Sequence, residues 1–139
     1  MSGKPFLPGG VNPALVTPFT RDQSVDEQAF RNLIRQVIGN VDGLVPCGTT
    51  GEFNYLTPEE NKRLVEIAVE EAQGKPVIAG AGAAGTQAAL DLARGAAEVG
   101  ADACLIVTPY FLHPSDKGIY QHFYEIAQAL PQMPIILYN

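Results

Sequence analysis

Apolar positions along the chain switch repeatedly between two patterns. Near-continuous apolar runs occupy residues 11–17, 43–47, 76–81, 103–108 and 134–139. Between them, apolar residues recur at three-and-four spacing. Phe30, Leu33, Ile34, Val37 and Ile38 form one such stripe, and Leu64, Val65, Ala68 and Ala72 the next. Ala89, Leu92, Ala93 and Ala96 follow, then Phe123, Ile126, Ala127 and Leu130. Unbroken runs predict strands covered on both faces, and the stripes predict helices with one buried side. Ser24-Val25-Asp26-Glu27 reads as a capping box for the first helix. Thr57-Pro58-Glu59-Glu60 starts the second, with Pro58 preset at the first helical position, and Gly74 suits its stop. Thr86 opens the third helix and Ser115 caps the fourth. Strand starts at 43, 76, 103 and 134 recur every 27 to 33 residues, about the length of a βαβ unit. The expected class is α/β, a parallel (βα)4β chain.

Composition narrows the class. With 139 residues the chain suits one domain, 1–139, preceded by a flexible lead-in over residues 1–10. A complete (β/α)8 barrel needs roughly 200 residues or more. The net charge of −6 argues against nucleic acid or an anionic membrane surface as partner. No apolar stretch reaches the ~20 residues of a membrane span, and the first residues lack the pattern of a signal peptide. Cys47 and Cys104 lie inside apolar runs, so buried thiols are expected rather than a disulfide framework. The expectation is a soluble, intracellular, cytoplasmic protein.

Candidate chemistry collects where parallel strands end. Those exits carry Thr17-Pro18-Phe19, Gly48-Thr49-Thr50-Gly51-Glu52, Gly80-Ala81-Gly82, Thr108-Pro109-Tyr110-Phe111 and Tyr138-Asn139. In the second, two glycines permit a sharp turn, and Thr49 and Thr50 offer hydroxyl and N–H donors suited to a carboxylate or oxyanion. A tight βα turn whose threonines bond their own backbone reads equally well. Gly80-x-Gly82-x-x-Gly85 matches the dinucleotide fingerprint only superficially, since it follows the third strand and lacks the acidic partner. Close packing of the third helix on the sheet is the expected reason for those glycines. Tyr110 and Tyr138 are phenols able to move protons, or simply aromatic packing. His113 and His122 have no companions that complete a ligand set, so no metal is expected. Tyr120, Phe123 and Tyr124 read as core or subunit contacts.

Taken in register, Gly48-Thr49-Thr50-Gly51-Glu52, Val107-Thr108-Pro109-Tyr110 and Leu137-Tyr138-Asn139 resemble the dihydrodipicolinate synthase and N-acetylneuraminate lyase superfamily. Thr17-Pro18 and Gly80-x-Gly82 agree, and the Thr49-Thr50 pair with residues 118–123 is similar to the synthase branch. The resemblance implies the N-terminal half of a TIM barrel from a homotetrameric, cofactor-free lyase. Such enzymes bind pyruvate as a Schiff base on a lysine at the end of strand six and condense it with an aldehyde, in the synthase aspartate semialdehyde, toward lysine. It further implies that Gly48, Thr49 and Thr50 hold the pyruvate carboxylate, that Thr49 joins a proton relay, and that Tyr138 is the acid/base phenol. Tyr110 and Phe111 would line the site, with Phe111 standing where the family carries a second relay tyrosine.

The implied lysine falls beyond Asn139, as does an arginine for the aldehyde's carboxylate. Lys4, Lys62, Lys75 and Lys117 all have the wrong setting for a neutral amine. The expectation is therefore half an enzyme, inactive alone. A related 2-keto acid aldolase or dehydratase is the nearest variant. A non-catalytic, flavodoxin-like five-stranded binding module competes with both, and strand order separates them: 1-2-3-4-5 against 2-1-3-4-5.

Overall fold

The computed structural model describes residues 9–139. Helices α1 (Glu27–Val37), α2 (Pro58–Glu71), α3 (Thr86–Glu98) and α4 (Asp116–Ala129) alternate with strands β1 (Ile78–Gly80), β2 (Ala103–Val107) and β3 (Ile135–Tyr138). The strands are parallel in the order β1-β2-β3, with Ile78 beside Ala103 and Cys104 beside Ile135. Segments 11–17 and 43–47 continue the sheet beyond β1 through single parallel bridges, Ala14 to Val45 and Leu44 to Val77.

Two of the five expected strands are thus reduced to bridges, and the cause is local. Pro13 and Pro46 have no N–H to give a ladder, and Cys47 leaves the strand direction at φ +56°. What survives brackets Val45, whose N–H donates to the Pro13 carbonyl and whose carbonyl accepts from Leu15 N–H. All five segments run in sequential order. That order excludes the flavodoxin-like alternative, in which the first strand would lie between the second and third.

Helix starts show one correction. Thr57 and Ser115 cap α2 and α4 as expected, Thr57 in a full capping box with Glu60. The box on Ser24 does not form. A bridge between Phe19 and Val25 holds the chain extended to Asp26, and Asp26 becomes the cap by accepting from Ala29 N–H at 2.9 Å. Ser24 instead donates to Asp22, and Glu27 pairs with Arg63. Of the lead-in expected over residues 1–10, residues 1–8 lie outside the described residues. Behind Gly10, Asp42 accepts from Val11 N–H at 2.7 Å.

The helices pack in sequence, α1 on α2, α2 on α3 and α3 on α4. Phe30, Ile34, Leu64, Ile67, Ala89, Ala93, Cys104, Ile106 and Ile126 fill one core between helices and sheet. The buried face of α4 is His122, Phe123 and Ile126, whereas Ala127 is exposed, contrary to the expected stripe. Tyr120 and Tyr124 are exposed too and stack on each other instead of entering the core. His122 lies 3.0 Å through Nδ1 from the Thr86 hydroxyl, and burial lowers its pKa below the ordinary imidazole value.

On the outer surface, Arg63 links α2 to Glu27, and Arg31 and Arg35 of α1 meet on Glu71. Hydrogen bonds from Arg35 and then Arg31 hold the Glu71 carboxyl below its ordinary pKa, and Arg63 does the same for Glu27. Depressed carboxyl pKa values contribute stability above the unfolded value and lose it as pH falls through the folded one. Surface pairs contribute only about 0.2–1 kcal/mol each, whereas emptying a core site costs about 2–5 kcal/mol. Denaturant titration at pH 7 is therefore expected to show Leu64→Ala far below the unsubstituted chain, and Glu71→Gln only slightly below it. At pH 3 the Glu71→Gln difference is expected to shrink while the Leu64→Ala difference persists.

Candidate active site

The site begins where segment 43–47 ends. Cys47 adopts the left-handed conformation, and Thr49–Gly51 then form one 3-10 turn. Gly51 N–H donates to the Gly48 carbonyl and Glu52 N–H to the Thr49 carbonyl, closing it. The N–H groups of Thr49 and Thr50 open the turn, where no intrahelical acceptor exists, and neither has a partner among the described residues. Both threonines are exposed.

Three contacts hold the turn in place. Thr17, only 5% exposed, donates its hydroxyl to the Gly51 carbonyl at 2.7 Å. Asn61 of α2, also buried, donates Nδ2 to the Gly80 carbonyl at 3.2 Å, while its own carbonyl accepts the Cys47 thiol at 3.7 Å. Gly80 supplies the third, because a Cβ there would lie 1.9 Å from the Cys47 carbonyl oxygen. A Cβ on Gly82 would lie 2.6 Å from Val107 Cγ1, whereas one on Gly85 would meet nothing within 4 Å. Gly80 and Gly82 therefore relieve contacts between neighbouring strand exits, not the packing of α3 on the sheet as expected, and Gly85 relieves none.

Tyr138 ends β3 opposite Val107. With Gly48, Thr49, Gly82 and Val107 it lines a cleft of about 20 Å³, room for about one water. A small acid would accordingly lie across this cleft rather than inside it. Tyr110 stands apart. Its hydroxyl donates to Asn54 Oδ1 at 2.9 Å, and its ring meets Phe53 edge-on at 6.0 Å. Phe111 is 92% exposed at φ +74° and lines a neighbouring lip with Tyr110, Ala84 and His113. The structure brings Gly48, Thr49 and Tyr138 to one cleft, sets Thr50 on the turn beside it, and leaves Tyr110 and Phe111 on the next lip.

Sequence reasoning placed Thr17 at this rim without its partner and missed Asn54 and Asn61 altogether. Asn61 had a signal, since it is a polar residue on the apolar stripe of α2, three positions before Leu64. Neither thiol is a nucleophile candidate. Burial raises the pKa of Cys47 and of Cys104 to about 12, far from thiolate chemistry. Among the described residues no group of three His, Cys, Asp or Glu is placed to hold a metal ion, and no helix is long and apolar enough to cross a membrane.

Parallel βα units in sequential order, with free donors and a phenol at the C-terminal rim, define a TIM-barrel type of chain. Comparison with known proteins makes that class particular. The profile of the dihydrodipicolinate synthetase family matches residues 7–139, and the chain belongs to this family. The 4-hydroxy-tetrahydrodipicolinate synthase of Phenylobacterium zucineum is 54% identical over 132 residues, covering 94% of this chain and 44% of the relative. Its Agrobacterium fabrum counterpart is 49% identical, again over 94% of this chain and 45% of its own length. The crystal structure of dihydrodipicolinate synthase from Aquifex aeolicus superposes with a TM-score of 0.89 at 44% identity, over 94% of this chain and 44% of that one. The chloride-inhibited synthase from Acinetobacter baumannii, complexed with pyruvate, gives 0.90 at 39% identity over 94% and 45%. The chain spans less than half the length of these relatives and has the fold of part of their barrel.

The Thr17 clamp is directly testable. Thr17→Val leaves the buried Gly51 carbonyl without its donor, at a cost of about 1–3 kcal/mol. Thermal or denaturant unfolding is expected to show that loss, and Thr17→Ser is expected to recover most of it.

Proposed function

We propose that residues 9–139 supply the carboxylate cradle and the acid–base phenol of a pyruvate-dependent Schiff-base lyase of the 4-hydroxy-tetrahydrodipicolinate synthase type. The observation that carries this reading is the shared cleft of Thr49 and Tyr138, with the open turn N–H groups of Thr49 and Thr50 beside it. A pyruvate carboxylate accepts from those N–H groups and from the two hydroxyls, while Gly48 leaves room for its approach. The keto carbon then lies toward Tyr138. A lysine amine attacks it, Tyr138 and Thr49 pass protons to the leaving hydroxyl, and water departs to leave the imine. Loss of a methyl proton gives the enamine, which adds to the aldehyde carbonyl.

Two structures support pyruvate as the first substrate. The relative from Acinetobacter baumannii and the family member YagE from Escherichia coli were both solved with pyruvate. The lysine is expected from chain beyond residue 139, because the described lysines are committed elsewhere. Lys62 pairs with Glu98 at 2.5 Å. Lys75 donates to the Ile38 and Val41 carbonyls at 2.5 and 2.6 Å, and Lys117 lies in the first turn of α4. Phe111, which lacks a hydroxyl, favours one second reading, a 2-keto acid aldolase or dehydratase of the same family with another acceptor. A homotetramer in the cytoplasm is the assembly and location this reading carries.

Borohydride reduction in the presence of pyruvate, followed by mass spectrometry, tests it. The 139-residue chain alone is expected to give no adduct, and a stoichiometric adduct on Lys62, Lys75 or Lys117 would refute the assignment. In the enzyme completed by its lysine-bearing portion, Tyr138→Phe is expected to lower kcat roughly 100-fold or more while leaving pyruvate KM within about threefold. Initial rates with aspartate semialdehyde against other aldehydes separate the two readings.

A further inference from the structure

Tyr110 stands off the cleft, yet its phenol is committed to a partner. The hydroxyl donates to Asn54 Oδ1 at 2.9 Å, and the ring meets Phe53 edge-on. Phe53 and Asn54 belong to a second 3-10 turn, Phe53–Tyr55, joined to the cradle turn through left-handed Glu52 alone. Phe53 also lines the cleft beside Thr49 and Tyr138. Two residues before Tyr110, the Thr108 N–H donates to the Tyr138 carbonyl at 3.0 Å.

These contacts close a path around the cleft. It runs from Thr49 through Glu52 to Asn54, across the hydrogen bond to Tyr110, and back through Thr108 to Tyr138. In the sheet order the exit of β1 lies between the two sides joined by that bond. Residues 80–85 at that exit are all glycine or alanine, so none of their side chains is long enough to brace the rim. Thr17 holds the cradle turn from the other side, through Gly51. The bond between Asn54 and Tyr110 is thus the side-chain tie that links the cradle turn to the strand exits carrying the phenol of Tyr138.

We propose that Asn54 and Tyr110 are positioning residues, forming a strut that sets the separation between the carboxylate cradle and the acid–base phenol. The inference rests on the pyruvate reading and deepens it, giving Tyr110 a part other than proton transfer. Without the strut the cradle turn is still closed by its own backbone hydrogen bonds, so the carboxylate remains bound. What is lost is the alignment of the keto carbon with Tyr138, and misalignment of reacting groups lowers kcat.

The test compares Asn54→Ala, Tyr110→Phe and the double variant in the enzyme completed by its lysine-bearing portion. All three remove the same bond, so each is expected to lower kcat by a similar factor, roughly threefold to tenfold. Pyruvate KM is expected to stay within about twofold. Asn54→Asp keeps an acceptor for the phenol and is expected to recover most of the loss. The pH profile of kcat is expected to keep its shape in Tyr110→Phe. Tyr55→Ala, on the same turn but 80% exposed, is expected to leave kcat unchanged. Additive losses in the double variant overturn the proposal. So does a larger loss in Tyr110→Phe than in Asn54→Ala with an altered pH profile, which would make Tyr110 a proton carrier. A lowered melting temperature with unchanged kcat overturns it too, by reducing the bond to a structural one. Borohydride trapping of pyruvate on the unsubstituted enzyme separates the two levels. A missing adduct refutes the pyruvate reading and the strut with it, whereas an intact adduct with kcat unchanged in both single variants refutes the strut alone.

Discussion

Every candidate group of this protein stands at one rim because each parallel strand is reached from the last by a right-handed crossover through a helix. The rule leaves no freedom about which end of the sheet collects the loops. Thr17, the Gly48–Glu52 turn, Tyr110 and Tyr138 are drawn from four segments spread over more than a hundred residues. Sequential order then makes neighbours in the chain neighbours at the rim, so Thr17 reaches Gly51, while Tyr138, three segments further along the order, lines the same cleft as Thr49.

Within that frame, close approach matters more than charge. The sheet is lined by small residues, Ala79, Ala81, Ala103 and Cys104, all fully buried. Gly80 lets the Cys47 carbonyl come nearer than any side chain would allow. The ion pairs across α1 and α2 lie on the outer surface, where screening limits their contribution. Stability is thus concentrated in the layer beneath the rim. The turn itself is anchored by single contacts from Thr17 and by the Asn61 relay between Gly80 and Cys47.

The sequence by itself determined the number of segments, their type and their direction, because burial on both faces and burial on one face leave different periodicities. It also placed Thr49 and Tyr138 at strand exits, since strand ends follow from the same periodicity. It did not determine how regular the first two strands are, which depends on Pro13, Pro46 and the left-handed Cys47 acting on shared ladders. The cap on α1 moved from Ser24 to Asp26 because a bridge between Phe19 and Val25 decided where extended chain ends. The contacts of Thr17, Asn54 and Asn61 join residues 14 to 56 positions apart. Only the tertiary structure decided these, because a hydrogen bond across such distances depends on where the sheet brings its strands, and nothing local in the chain encodes that.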